Sequence, residues 1–281
     1  MSIHQTEINI SPNNIFGECD LKCIYNYTYQ NSSCVATNNG VMLLLSYDKT
    51  STPPVTYNNN KYDVGQVAIY SPSLHKYNDD VMDAEIIITH NPVLGGSQFA
   101  VAIPIIQSTS STKATILLSQ IITRVATSAP KNGESTTISL TDYSLNSFIP
   151  KHKFYSYIDT QNNIEYIVFD KEQSIDLSKS MLNTLKSVIN KYNNISYGGN
   201  VFYSKYPPNT QSGDGEIYIS CLPTGNSEEN IDVMHDKPAI FIDNNITSNP
   251  IFKGIFGFLI FILWFYIIKL LIFYFGKSKK S

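Results

Sequence analysis

From Gly254 to Phe275 the chain reads GIFGFLIFILWFYIIKLLIFYF, 22 residues with one charge, at Lys269. A helix apolar on every face is either a membrane span or a deeply buried core element. At 1.5 Å rise per residue the run reaches about 33 Å, enough to cross a hydrocarbon core of about 30 Å. The Lys-Ser-Lys-Lys-Ser ending favours the span. Lys269 sits near its C-terminal end, where the stem can snorkel outward, and Tyr274 lies at belt depth; Trp264 and Tyr266 lie nearer mid-span. The expected organisation is a folded body over 1–243, a polar linker over 244–253, a transmembrane helix over 254–275 and a basic tail over 276–281.

The run also partitions the charge. The whole chain of 281 residues carries −3. Ile251–Ser281 holds five Lys and no acid, which leaves 15 Lys and Arg against 23 Asp and Glu in residues 1–250, a charge of −8. Such a body gives no reason to expect nucleic-acid binding. Hydrophobic residues at 42%, with only 15% charged, exclude a disordered chain.

Met1–Asn14 has no apolar h-region, so no signal peptide is expected and the chain reads as tail-anchored. Two orientations stay open. The positive-inside bias keeps the basic tail on the inner side, whereas the usual tail-anchored insertion translocates it. Asn-X-Ser/Thr sites occur at Asn26, Asn31, Asn194 and Asn245, and glycosylation follows only if the body enters the ER lumen.

Within the body no repeat or internal linker is visible. Short β-branched and aromatic runs bounded by Gly, Pro, Asn and Asp predict strands at Val41–Tyr47, Gln66–Tyr70, Ala84–Thr89, Gln98–Ile106, Ile164–Phe169 and Glu216–Ser220. Ala84–Thr89 and Phe99–Ile106 are nearly all apolar and should be covered on both faces. Apolar residues at helical spacing predict helices over Ala114–Thr127 and Ser178–Tyr192, the second capped by Asp176 or Ser178. The fold class expected is mostly β, one domain with peripheral helices.

Several segments then resemble α-carbonic anhydrases. Gln5-Thr6-Glu7-Ile8-Asn9-Ile10 is similar to the family's Gln-Ser-Pro-Ile-Asn-Ile opening, and Gln66-Val67-Ala68-Ile69-Tyr70 to its Gln-Phe-His-Phe-His strand. Glu85-Ile86-Ile87-Ile88-Thr89-His90-Asn91 resembles Glu-Leu-His-Leu-Val-His-Trp-Asn with one position missing. Ser144–Pro150 with Phe154-Tyr155-Ser156-Tyr157, then Tyr166-Ile167-Val168-Phe169, resemble the Leu-Leu-Pro, Tyr-Tyr-Arg-Tyr and Trp-Ile-Val-Phe stretches. The resemblance implies a large twisted, mainly antiparallel sheet. With a C-terminal anchor, the chain is similar to one subgroup, the carbonic anhydrase-like envelope proteins of poxviruses, the cell surface-binding proteins. The abundance of Asn, Ile and Lys suits an AT-rich genome.

The enzyme holds Zn²⁺ on three His, and the metal lowers the pKa of its bound water to about 7. The first two alternate on one strand. Here they are Ala68 and Tyr70, and His90 is read as the surviving third. The family's Thr-Thr-Pro-Pro-Cys loop is replaced by Asp159-Thr160-Gln161-Asn162-Asn163. No catalytic residue, cofactor or metal is therefore expected, and no enzymatic activity. His75 matches a structural His of the family, and His4, His152 and His235 read as loop residues.

Cys19 and Cys23 have C-x₃-C spacing, but no second pair follows at zinc-site spacing. Disulfides among Cys19, Cys23 and Cys34, or one of these to Cys221, are the alternatives. The resemblance implies a viral attachment protein in the virion membrane, acquired at host intracellular membranes during assembly, that binds cell-surface glycosaminoglycan, chiefly chondroitin sulfate. Sulfated sugars need clustered cations. The candidates are Lys151-His152-Lys153, and Lys179, Lys186 and Lys191 on the second helix. An acidic, Tyr-rich body equally suits a structural or host-protein-binding role. Oligomeric state stays open, a homo-oligomer being one option.

Overall fold

The structure is a computed structural model that describes residues 6–19, 22–140 and 142–210. The expected strand at Glu216–Ser220, the linker, the span and the tail lie outside the described residues. So do His4, His235, Cys221 and Asn245. Among the described residues no helix is long and apolar enough to cross a membrane.

The strands of the first third are β1 (Thr6–Glu7), β2 (Asn9–Ile10), β3 (Ile15–Glu18), β4 (Tyr25–Tyr27), β5 (Cys34–Asn38), β6 (Met42–Leu45), β7 (Val55–Tyr57) and β8 (Asn60–Tyr70). Next come β9 (Lys76–Tyr77), β10 (Asp80–Val81), β11 (Ala84–Pro92), β12 (Gln98–Gln107), helix α1 (Lys113–Ser128) and β13 (Ser135–Ile138). The last are β14 (Phe154–Asp159), β15 (Ile164–Phe169), β16 (Ile175–Leu177), helix α2 (Lys179–Val188), β17 (Tyr197–Gly198) and β18 (Val201–Tyr203).

A 13-stranded sheet runs β13-β5-β6-β8-β11-β12-β15-β14-β18-β3, with β16 on β12, and β7 joining β4 to β8. It is mixed: β12 pairs in parallel with β15 and β16, as β18 does with β3, while the other ladders are antiparallel. The central strands β11 and β12 are buried along nearly their whole length, as their unbroken apolar runs require. On one face Ile86, Ile88, Val101 and Ile103 pack with Leu118, Ile121, Leu182 and Leu185 of the helices. On the other, Ile87, Ala100, Ala102 and Val168 pack with Ile8, Ile10 and Tyr77.

Both helices start as their sequences dictate. Thr112 caps α1 by accepting from the Thr115 N–H, and Ser178 rather than Asp176 caps α2, accepting from the Met181 N–H. The second helix ends earlier than its periodicity predicts: it stops at Val188, and Ile189 is already extended. Asn38 of β5 explains the stop. Its Nδ2 donates to the Val188 and Pro130 carbonyls at 2.7 and 2.8 Å, satisfying a helix terminus from a distant strand. Lys191 is therefore not a residue of α2.

Candidate functional site

Strand alternation places Ala68 and Tyr70 on the face of β8 opposite to Val67 and Ile69, which belong to the helix-side core. Antiparallel pairing then sets Ile87 of β11 directly across from Ala68. These positions form one patch on the N-terminal-segment face of the sheet. Ala68 and Ile87 are 2% and 5% exposed, and Ile87 packs among Ala100, Ala102 and Val168. Alanine and isoleucine offer no donor. Tyr70 rests against Tyr192, ring centroids 5.4 Å apart, and burial pushes its phenol above the ordinary tyrosine value, away from the phenolate that binds metals. The residues present do not fit a three-histidine zinc site. Among the described residues no group of three or more His, Cys, Asp or Glu could hold a metal ion.

His90 does not belong to this patch, which corrects its reading as the surviving ligand. The similar motif carries two His, matching Ile87 and His90, and only the Ile87 position shares a face with Ala68. β8 bulges at Gly65, where pairing slips between Thr89 and His90; a Cβ there would meet Asn91 Nδ2 at 2.8 Å. His90 projects to the helix side, fully buried, between Tyr29 and Phe99. Its Nδ1 lies 3.2 Å from the Phe99 carbonyl oxygen, which can only accept, so Nδ1 carries the proton. Nε2 therefore accepts from the Tyr29 hydroxyl at 2.8 Å, and Tyr29 in turn accepts from Tyr25 at 3.1 Å. Burial lowers the His90 pKa to about 4.

His75 is the histidine that stands behind the patch. Its Nδ1 is 2.9 Å from Glu85 Oε1, and its Nε2 accepts from the Tyr157 hydroxyl at 2.9 Å. Glu85, two residues along β11 from Ile87 and so on the same face, also accepts from Tyr77 O–H at 2.7 Å and Leu74 N–H at 2.9 Å. The four side chains are at most 1% exposed, and each polar atom named has a partner, as burial demands. Tyr157 stacks flat on Tyr166 at 4.9 Å. The Asp159–Asn163 stretch is a tight β14–β15 turn in which Asp159 Oδ1 accepts from the Gln161 and Asn162 N–H groups.

The predicted cationic clusters are interleaved with acids. Lys186 and Lys191 line a cavity of about 730 Å³ with Asp80 and Asp83, and Lys186 Nζ pairs with Asp83 Oδ1 at 3.0 Å. Lys179, at the other end of α2, does not line it. His152 and Lys153 line a cavity of about 300 Å³ with Asp170 and Glu172; exposed Lys151 stands outside it. Burial and the neighbouring Glu172 raise the Asp170 pKa. The described residues hold 14 Lys and Arg against 15 Asp and Glu, so the acid excess of residues 1–250 lies mostly in 211–250, with seven acids and one Lys. The folded sheet domain is nearly neutral.

Cys19 and Cys23 form a disulfide, and Cys34 is a free, buried thiol that burial pushes up to about 11. Asn31 and Asn194 are exposed, whereas Asn26 is half-buried in β4.

No protein-family model matches the chain, and no curated protein matches it. Solved structures do. Dioscorin complexed with ascorbate is 16% identical over 75% of this chain and 88% of its own, with a TM-score of 0.58. The α-carbonic anhydrase of Photobacterium profundum is 15% identical over 73% and 90%, TM-score 0.57. A hyperthermostable carbonic anhydrase from a hydrothermal vent chimney is 17% identical over 72% and 88%, TM-score 0.57. The chain has the α-carbonic anhydrase-like fold, with Ala68, Tyr70 and Ile87 grouped on one face of its central strands.

Proposed function

We propose that this chain is a non-enzymatic, membrane-anchored envelope protein of a poxvirus that attaches the virion to the host cell surface by binding glycosaminoglycan, chiefly chondroitin sulfate. The observation that carries the non-enzymatic part is the apolar packing of Ile87 opposite Ala68, where the enzyme's chemistry needs imidazoles. The sequence motifs in family order, the apolar run at 254–275 and the basic end support the envelope assignment. The acid excess behind the −8 of residues 1–250 belongs mostly to 211–250, and the described domain itself is nearly neutral, so its own charge offers little repulsion to a polyanion.

A second reading has its own support. Both lysine cavities present carboxylates beside their cations, a mixed surface better matched to a host or viral protein than to a sulfated chain. Retention of the full chain, in detergent, on chondroitin sulfate and heparin beads separates the two. Retention at low salt that is lost as salt rises supports glycosaminoglycan attachment. No retention at low salt removes it and leaves protein contact. Stopped-flow CO₂ hydration above background would overturn the non-enzymatic assignment.

A further inference from the structure

The chain has a single arginine, Arg124. It lies on α1 in the row Ser119, Gln120, Thr123, Arg124, Thr127, positions three and four apart that share one helix face. With Ser139 beyond β13, this row lines a groove of about 660 Å³ floored by Ile138. The groove differs in chemistry from the two lysine cavities: no carboxylate lines it, and Arg124 is exposed with no ionic partner among the described residues. Its other wall is the end of β13 and the residues that follow, Ile138, Ser139 and Leu140, where the Leu140 N–H donates back to the Ile138 carbonyl at 3.1 Å. A guanidinium with several free donors and a row of hydroxyl and amide side chains converge on one trough.

We propose that this groove, not either lysine cluster, is the acidic-sugar subsite. Arg124 pairs with a sulfate or carboxylate of the saccharide, the planar guanidinium matching either anion bidentately. Ser119, Gln120 and Ser139 hydrogen-bond its ring hydroxyls, and Ile138 supports the apolar face of the ring. This inference rests on the glycosaminoglycan reading above and deepens it by naming the recognising residue.

The test measures retention of the full chain in detergent on three matrices: chondroitin sulfate, desulfated chondroitin with only its carboxylates, and dextran sulfate with only its sulfates. Arg124→Gln should weaken retention at least about tenfold, Arg124→Lys less, and Lys153→Gln and Lys186→Gln within about twofold of wild type. Dextran sulfate retention lost in Arg124→Gln assigns the groove to sulfate; loss confined to desulfated chondroitin assigns it to carboxylate. All three side chains are exposed, and equal unfolding midpoints verify intact folding. Unchanged retention in Arg124→Gln, with wild type bound, overturns the groove and leaves the attachment reading standing. A wild-type chain that binds none of the three overturns both.

Discussion

Ile87 faces Ala68 across the β8–β11 ladder, on the opposite side of the sheet from His90. One strand thus carries two positions similar to family histidines on two different faces, and the imidazole remains only on the side away from the patch. The retained His90 works for the core: it ties Tyr29, and through it the N-terminal Tyr25–Tyr29 segment, to β12.

Zinc content should follow this geometry. The wild-type chain dialysed against zinc and then buffer is expected to retain none in stoichiometric amount. A variant with Ala68→His, Tyr70→His and Ile87→His should retain about one per chain, because three imidazoles on adjacent strand positions supply a zinc-ligand set. Metal analysis reads both. Stoichiometric zinc in the wild type would contradict the assignment of the patch.

Acid should destabilise the fold through His90. Its folded pKa, about 4, lies below the unfolded value near 6.5. The unfolded chain therefore binds the proton first, so the neutral ring's stabilisation is complete above pH 6.5 and is lost as pH falls toward 4. The linkage slope approaches about 1.4 kcal/mol per pH unit below the unfolded value, which comes to about 1.6 kcal/mol between pH 6.5 and 5. Urea unfolding of wild type and His90→Gln over that range isolates it: the variant should show a shallower loss. Parallel curves would refute the account.

Tyr157→Phe removes the hydroxyl that His75 Nε2 accepts from, in a site with no solvent access. Leaving a buried ring nitrogen without a partner should cost about 1–3 kcal/mol in denaturant unfolding. A Gly198→Ala variant should be destabilised by a similar amount, about 1–3 kcal/mol, since its new methyl group would run into the Tyr157 ring.

The cysteines should separate cleanly. Cys19→Ser with Cys23→Ser opens a short loop, and the chain-entropy relation puts its loss at about 2 kcal/mol. Cys34, buried and with its thiol pKa raised to about 11, should resist iodoacetamide in the native chain and react once urea unfolds it. Mass spectrometry of native and unfolded samples reads the difference; rapid native alkylation would contradict the burial.

Elements with strong periodicity were legible from the sequence alone. Ile164–Phe169 is a strand with the predicted bounds, and α1 extends the predicted Ala114–Thr127 by one residue at each end. Local pattern suffices there because each segment's own side chains decide which face it buries. The end of α2 was not legible: Ile189 continues the apolar period, and the stop comes from Asn38, 150 residues from Val188. Arg124 could have drawn notice as the lone arginine, but its groove is made by Ile138, Ser139 and Leu140 across from it.

By itself the sequence determined the mostly-β class, the apolar run at 254–275 and the charge of each segment, because composition and period need no partner; the reading of Ala68 and Tyr70 as replacements came from the family resemblance. Only the tertiary structure decided that Ile87 and not His90 completes the patch. It also decided that Lys153, Lys186 and Lys191 sit beside carboxylates and that Arg124 does not. Those facts depend on which distant residues meet: alternation along β11 sets Ile87 and His90 on opposite faces, but only the ladder shows that Ile87 stands across from Ala68, and no local pattern records what stands across a ladder.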